Sequence, residues 1–147
     1  MTILTFLEDN SPDNLGRLLS DIWIFDDQRI EMIHDFIQWL FPLNESSGAN
    51  FNAPVLSESD INNIRKSLDA KNNLSKSADW YLKFLSRNSH WICPHDHNHL
   101  RITRVIKSLR LLCSDEKADG FKQSVLEIAA KGEQKIGAIA LKHWAQA

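Results

Sequence analysis

His97-Asn98-His99-Leu100-Arg101-Ile102-Thr103-Arg104-Val105-Ile106-Lys107-Ser108-Leu109-Arg110-Leu111-Leu112 carries the strongest helical pattern in the chain. Ile102, Val105, Ile106, Leu109, Leu112 and Cys113 recur at steps of three and four, which places them on one apolar face. Asp96 or Asn98 brings a short side-chain oxygen to the start, suited to capping the first turn. Arg101, Arg104, Lys107 and Arg110 step by three. At about 3.6 residues per turn each step slips by ~60°, so the cations fan over the polar side. No acidic residue interrupts them. The pattern predicts the central strut of an all-α domain.

Length and composition agree with that reading. A chain of 147 residues suits one domain with a real core, here taken as 1–147. An apolar fraction of 43% and a charged fraction of 24% are ordinary for a globular protein. A net charge of −2 and a pI near 6.3 argue against a general binder of nucleic acid or membrane surfaces. No apolar run reaches the ~20 residues of a membrane helix, and no leader pattern opens the chain. Two cysteines, Cys93 and Cys113, are too few for a disulfide scaffold, so a reduced, cytoplasmic protein is expected.

Outward from the central stretch, helix signals recur. Ser11-Pro12 reads as a helix start, with Leu15, Leu18, Leu19 and Ile22 inward. Asp26-Asp27 caps a second helix whose apolar positions run from Ile30 through Ile33, Ile37 and Leu40 to Phe41, where Pro42 stops it. Residues 43–56 form a long loop, a kind that is often functional. Ser57 with Asp60 resembles a capping box. A helix from about Ala70 buries Leu74, Ala78, Tyr81, Leu82 and Leu85. Residues 86–95 are a second loop. Ser114 caps the next helix, Gly132 suits a left-handed stop, and 133–146 forms the last helix. The sum is a single-domain bundle of six or seven helices with two long loops and no strand pair.

Pro12-Asp13, Gly16-Arg17, His34-Asp35-Phe36-Ile37-Gln38-Trp39-Leu40-Phe41-Pro42, Asn52-Ala53-Pro54 and His97-Asn98-His99-Leu100-Arg101-Ile102-Thr103-Arg104 follow one another in a distinctive order. They resemble the conserved N-terminal domain of the opioid growth factor receptor family over about 12–125. The resemblance implies an all-helical fold, and it brings no enzymatic activity. In animals the family name carries peptide reception with membrane and nuclear association. At 147 residues, without the long tail of the animal receptors, a compact, stand-alone microbial type of member is the expectation that the resemblance implies. Cys113-Ser114 departs from the Gly-Leu expected at that place.

Three kinds of chemistry compete. Cys93, His95, His97 and His99 alternate, and an extended strand would turn all four to one side as zinc ligands. Entry into a helix at His99 breaks that geometry, so no metal or other cofactor is expected. Cys93 with His90 or His95 could form a nucleophile pair, yet no local nucleophile motif surrounds it. An enzyme at the 90–99 loop is therefore the third reading. The basic fan of helix 99–112 could meet phosphates, which makes a nucleic-acid-associated protein the second. Against it, Asp and Glu outnumber Lys and Arg by 19 to 17.

The leading expectation is a non-catalytic peptide- or protein-binding module. Trp39 and Phe41 adjoin one long loop and Trp91 lies in the other. If the loops meet at the central helix, a ring-lined cleft results. Its candidate binding residues are His34, Gln38, Trp39, Trp91, His97, Asn98, Arg101 and Arg104. The alternative use for these rings is to pin the loops to the core. Arg101 is expected to be a buried fork tying the 43–56 loop to the central helix, and Arg110 an exposed, dispensable cation. The ligand and the oligomeric state stay open.

Overall fold

The computed structural model describes residues 2–48 and 50–147. Among these the protein is all-α, and its only pairing of strand type is an isolated parallel bridge between Leu43 and Val55. The helices are α1 (Ile3–Leu7), α2 (Leu19–Trp23), α3 (Asp27–Met32), α4 (Ile37–Leu40), α5 (Glu58–Lys66), α6 (Leu68–Arg87), α7 (Asn98–Leu112), α8 (Asp115–Ala129) and α9 (Ala138–Gln146). None is long and apolar enough to cross a membrane.

α7 is the strut that its pattern predicts. Ile102, Val105, Ile106, Leu109 and Leu112 are all essentially inaccessible, and burying each such side chain contributes roughly 1.5–3 kcal/mol. α5, α6, α8 and α9 all pack against it. Asn98, His99, Arg101 and Ser108 are buried too, so this helix turns most of its circumference inward. The Asp96 carboxylate accepts the Asn98 N–H at 2.9 Å, Ser57 and Asp60 close their capping box, and Ser114 caps α8.

Four local readings are corrected by the structure. Ser11-Pro12 does not begin a helix. Instead Asp13 builds a closed turn, its Oδ1 accepting from the N–H groups of Leu15 (2.9 Å) and Arg17 (3.0 Å). Local side-chain bonds of this kind compete with helix formation. Gly16 completes the turn at φ +81°, open to a residue without Cβ, and Leu15 is left exposed.

The continuous helix expected over 30–41 is two short helices with a bend between them. The Arg101 guanidinium donates to Ile30 O at 2.7 Å and Ile33 O at 2.9 Å. Those carbonyls would otherwise accept within a continuous helix. α4 still ends at Phe41 before Pro42, as the proline requires.

The two other corrections concern glycines. Gly132 is not a left-handed stop, since among the described residues only Gly16 and Asp9 have positive φ. A Cβ on Gly132 would lie 2.4 Å from Ile92 Cγ2, which is reason enough for glycine there. The last helix begins at Ala138 rather than 133, after Gly137 passes so close to the Pro94 carbonyl that a Cβ would sit 2.4 Å from its oxygen.

Candidate binding cleft

The α3–α4 bend, the 43–48 segment and the first turns of α7 enclose a cleft of about 590 Å³. His34, Ile37, Gln38 and Leu43 form one side, with Glu45, Ser46, Ser47 and Gly48 above them. The α7 side carries Leu100, Arg101, Thr103, Arg104 and Lys107, flanked by His97 and by His143 of α9. A second hollow of about 460 Å³ between 94–97 and α9 shares His97, Leu100, Thr103 and His143 with the first. The two adjoin along one ridge, on which Leu100 is 70% exposed.

The cations of α7 are tied to neighbouring carbonyls and carboxylates rather than presented together as a free surface. Arg101 is buried, and Arg104, Lys107 and Arg110 are half-buried. Arg101 is the fork expected of it, but it clamps the α3 end and the bend, not the 43–56 loop. It also lies over the Phe36 ring, 5.6 Å from the centroid. The loop is held one turn further on. Arg104 Nε donates to Phe41 O at 2.8 Å, Ser108 Oγ to Pro42 O at 2.9 Å, and Lys107 pairs with Glu45 at 3.2 Å. Arg110 is not a free cation. It bonds Asp115, Asp119 and the Ala147 carbonyl.

Arg104 and Gln38 stand out within the cleft. Among the described residues, the bond to Phe41 O is the only hydrogen bond of the Arg104 guanidinium. Its Nη2 is buried without a partner, and so is Gln38 Oε1. Burial pulls the Arg104 pKa down to about 10, against a small opposing pull from Glu45. The group is still charged at neutral pH. Buried polar atoms without partners are uncommon, because each costs the desolvation it does not recover.

The rim carries a second network. Glu31 accepts from Asn98 Nδ2 at 2.8 Å and pairs with His90 Nε2 at 2.7 Å and His97 Nε2 at 3.0 Å. Burial opposes its ionisation, yet the bonds from Asn98 and His90 and the neighbouring His97 hold its pKa below the usual glutamate value. Burial pushes the Tyr81 phenol up, so it stays protonated and donates to Asn98 Oδ1 at 2.6 Å. His34 faces His97 across 5.1 Å. Burial, then Arg101 and His97, hold its imidazole below the ordinary value.

Five of the sequence candidates, His34, Gln38, His97, Arg101 and Arg104, meet in the cleft. Trp39, Trp91 and Asn98 do not line it. Trp39 packs edge-on to Phe6 at 5.3 Å, and Trp91 Nε1 donates to the carbonyls of Leu85 and Asn88. The rings therefore pin the loops, and the expected ring-lined cleft is instead walled by polar and aliphatic side chains.

The Cys93–His99 residues diverge. Cys93 Sγ donates to His95 O, His97 pairs with Glu31, and His99 Nε2 donates to Trp91 O at 2.8 Å. Among the described residues no three of His, Cys, Asp or Glu converge on a point. Leu100, Glu45 and His143 were missed by the sequence reading, and Lys107 was anticipated only as part of the basic fan. Leu100 offered one signal: it sits two residues before Ile102, about 200° around the helix, out of phase with the core face.

Comparison with known proteins gives the class. The opioid growth factor receptor conserved region matches residues 8–90, more than half of the chain, and the protein belongs to that family. It is 32% identical over 115 residues to the mouse opioid growth factor receptor, covering 64% of this chain and 18% of the relative. It is 33% identical over 118 residues to the opioid growth factor receptor-like protein 1 of Xenopus tropicalis, covering 65% and 22%. The chain thus spans about a fifth of the length of these relatives. No solved structure matches. The matched residues supply the Asp13 turn, the α3–α4 bend and the 43–48 side of the cleft. The α7 side lies beyond them, although the Leu100–Arg104 block had pointed to the family.

Proposed function

We propose that this chain is a non-catalytic peptide- or protein-binding module whose partner seats in the cleft between α4, the 43–48 segment and α7. The carrying observation is that an unpartnered donor, Arg104 Nη2, and an unpartnered acceptor, Gln38 Oε1, belong to side chains lining one cleft that also has an exposed apolar edge at Leu100. A peptide backbone offers both a donor and an acceptor, and its side chains cover apolar ground. The receptor names of the relatives agree with a ligand-binding role. The α7 cations, with Arg101 buried and Lys107 and Arg110 held in ion pairs, favour this reading over nucleic-acid binding, which needs them displayed together. Two free, half-buried thiols fit a cytoplasmic setting.

The test is selection of a random peptide library on the immobilised chain, with counter-selection on Leu100→Asp. Leu100 is exposed in the first turn of α7, where an acidic residue is well tolerated. Peptides retained by the parent and lost by the variant support the module. Retention by both, or displacement of every peptide by duplex DNA, contradicts it.

A further inference from the structure

We infer that the cleft recognises a carboxylate, received by the unused amino groups of Arg104. This deepens the peptide-binding reading and rests on it. The first ground is the state of the guanidinium. It is mostly withdrawn from water, keeps its charge, and uses one N–H of five, on the Phe41 carbonyl. Arg101, one turn away, spends its fork on Ile30 O and Ile33 O and on Asn98. Arg104 has no such second use. A partly desolvated charge without a counter-ion is costly, and a bidentate carboxylate is the group whose shape its fork matches.

The second ground is the charge of the lining. Arg101, Arg104 and Lys107 face a single carboxylate, Glu45, and Glu45 is bonded to Lys107. The cleft is therefore locally positive in a chain of net charge −2. A fixed positive pocket on an acidic protein draws anions and orients them. The third ground is Gln38, which is 7% exposed and holds a buried, unpartnered oxygen in the same cleft. Gln38 lines the same cleft as Arg104, so a small turn of its side chain on binding would bring that oxygen to an amide N–H beside the carboxylate. That combination fits an amino-acid carboxylate better than an inorganic anion, which brings no such donor. A peptide presents this chemistry in two ways, as its C-terminal group or as an Asp or Glu side chain.

The experiment uses the ¹⁵N-labelled full chain and three probes at matched ionic strength: N-acetylglycine, N-acetylaspartic acid α-amide and neutral N-acetylglycinamide. Arginine Nε–H, glutamine side-chain and backbone resonances are followed. The expected result is saturable movement of the Arg104 Nε–H and Gln38 signals with at least one carboxylate probe. The neutral probe binds at least tenfold more weakly. Saturation by N-acetylglycine identifies a chain terminus, and saturation by the aspartate derivative a side chain. Arg104→Lys should weaken the better probe at least tenfold. Should that variant not fold, the comparison of probes on the unmodified chain decides alone. Carboxylates that move these signals no more than sodium chloride does overturn the inference. So does equal binding of the neutral probe, which would leave the cleft a peptide site while removing its carboxylate preference.

Discussion

Replacing Arg101 by lysine tests the joint on which the cleft depends. The side chain is 7% exposed and holds two carbonyls, Ile30 O and Ile33 O, at 2.7 and 2.9 Å. Lysine keeps the charge but offers a compact ammonium in place of a planar fork. One of the two carbonyls then loses its donor. A buried acceptor left without its partner costs about 1–3 kcal/mol. With a urea dependence of roughly 2 kcal/mol per molar, a loss near the middle of that range moves the midpoint by about 1 M. The same loss lowers the melting temperature by about 4–8 °C for a chain of this size. Urea denaturation followed by tryptophan fluorescence and by far-ultraviolet circular dichroism reads it, and coincident curves license the two-state treatment. Equal midpoints for Arg101→Lys and the parent would refute the clamp and the explanation of the α3–α4 bend with it.

Other expectations are more local. Gly137→Ala drives a Cβ to 2.4 Å from the Pro94 oxygen; it should cost about 1–3 kcal/mol, the range of overpacking, and an unchanged urea midpoint would show that the α9 junction yields freely. His34 has a folded-state pKa below its ordinary 6.5, so the unfolded chain takes the proton first as pH falls. Its contribution is whole above about pH 6.5 and is lost below it. His34→Gln should therefore flatten the acid side of the stability profile, and an identical slope between pH 6.5 and 5 would oppose the assignment. Arg110→Ala, which breaks bonds to Asp115 and Asp119, should lower the melting temperature by about 1–3 °C at low salt. Most of that difference should vanish at high salt, where exposed pairs are screened.

The parts of the fold written in local periodicity were legible from the chain. α7 repeats its apolar face without a break, and Ser57, Ser114 and Asp96 each act within three residues of their own position. What failed to show was tertiary. The run from Ile30 to Phe41 has a helical pattern throughout, and it is divided by guanidinium groups from distant residues, Arg101 on Ile30 O and Ile33 O and Arg17 on Asp35. Pro12-Asp13 has the composition of a helix start, but Asp13 spends its oxygens on Leu15 and Arg17. In the site, polar residues were easier to anticipate than rings. Arg101, Arg104, Gln38, His34 and His97 come together, while Trp39 and Trp91 are drawn inside because large rings gain most from burial. Nothing in the sequence marks Glu45 or Gly48 as cleft residues, since a loop path over a helix has no periodic signature.

The central claim is that the cleft is where a partner binds. The most direct measurement is amide and side-chain shift mapping of the full chain with the strongest peptide from the library selection. Shifts confined to residues 34–38, 43–48, 97–107 and His143, and lost with Leu100→Asp, are the predicted result. A peptide that binds saturably but moves resonances elsewhere, for example in the hollow between α6 and α8 around Ser75, Asp79 and Phe121, would contradict it.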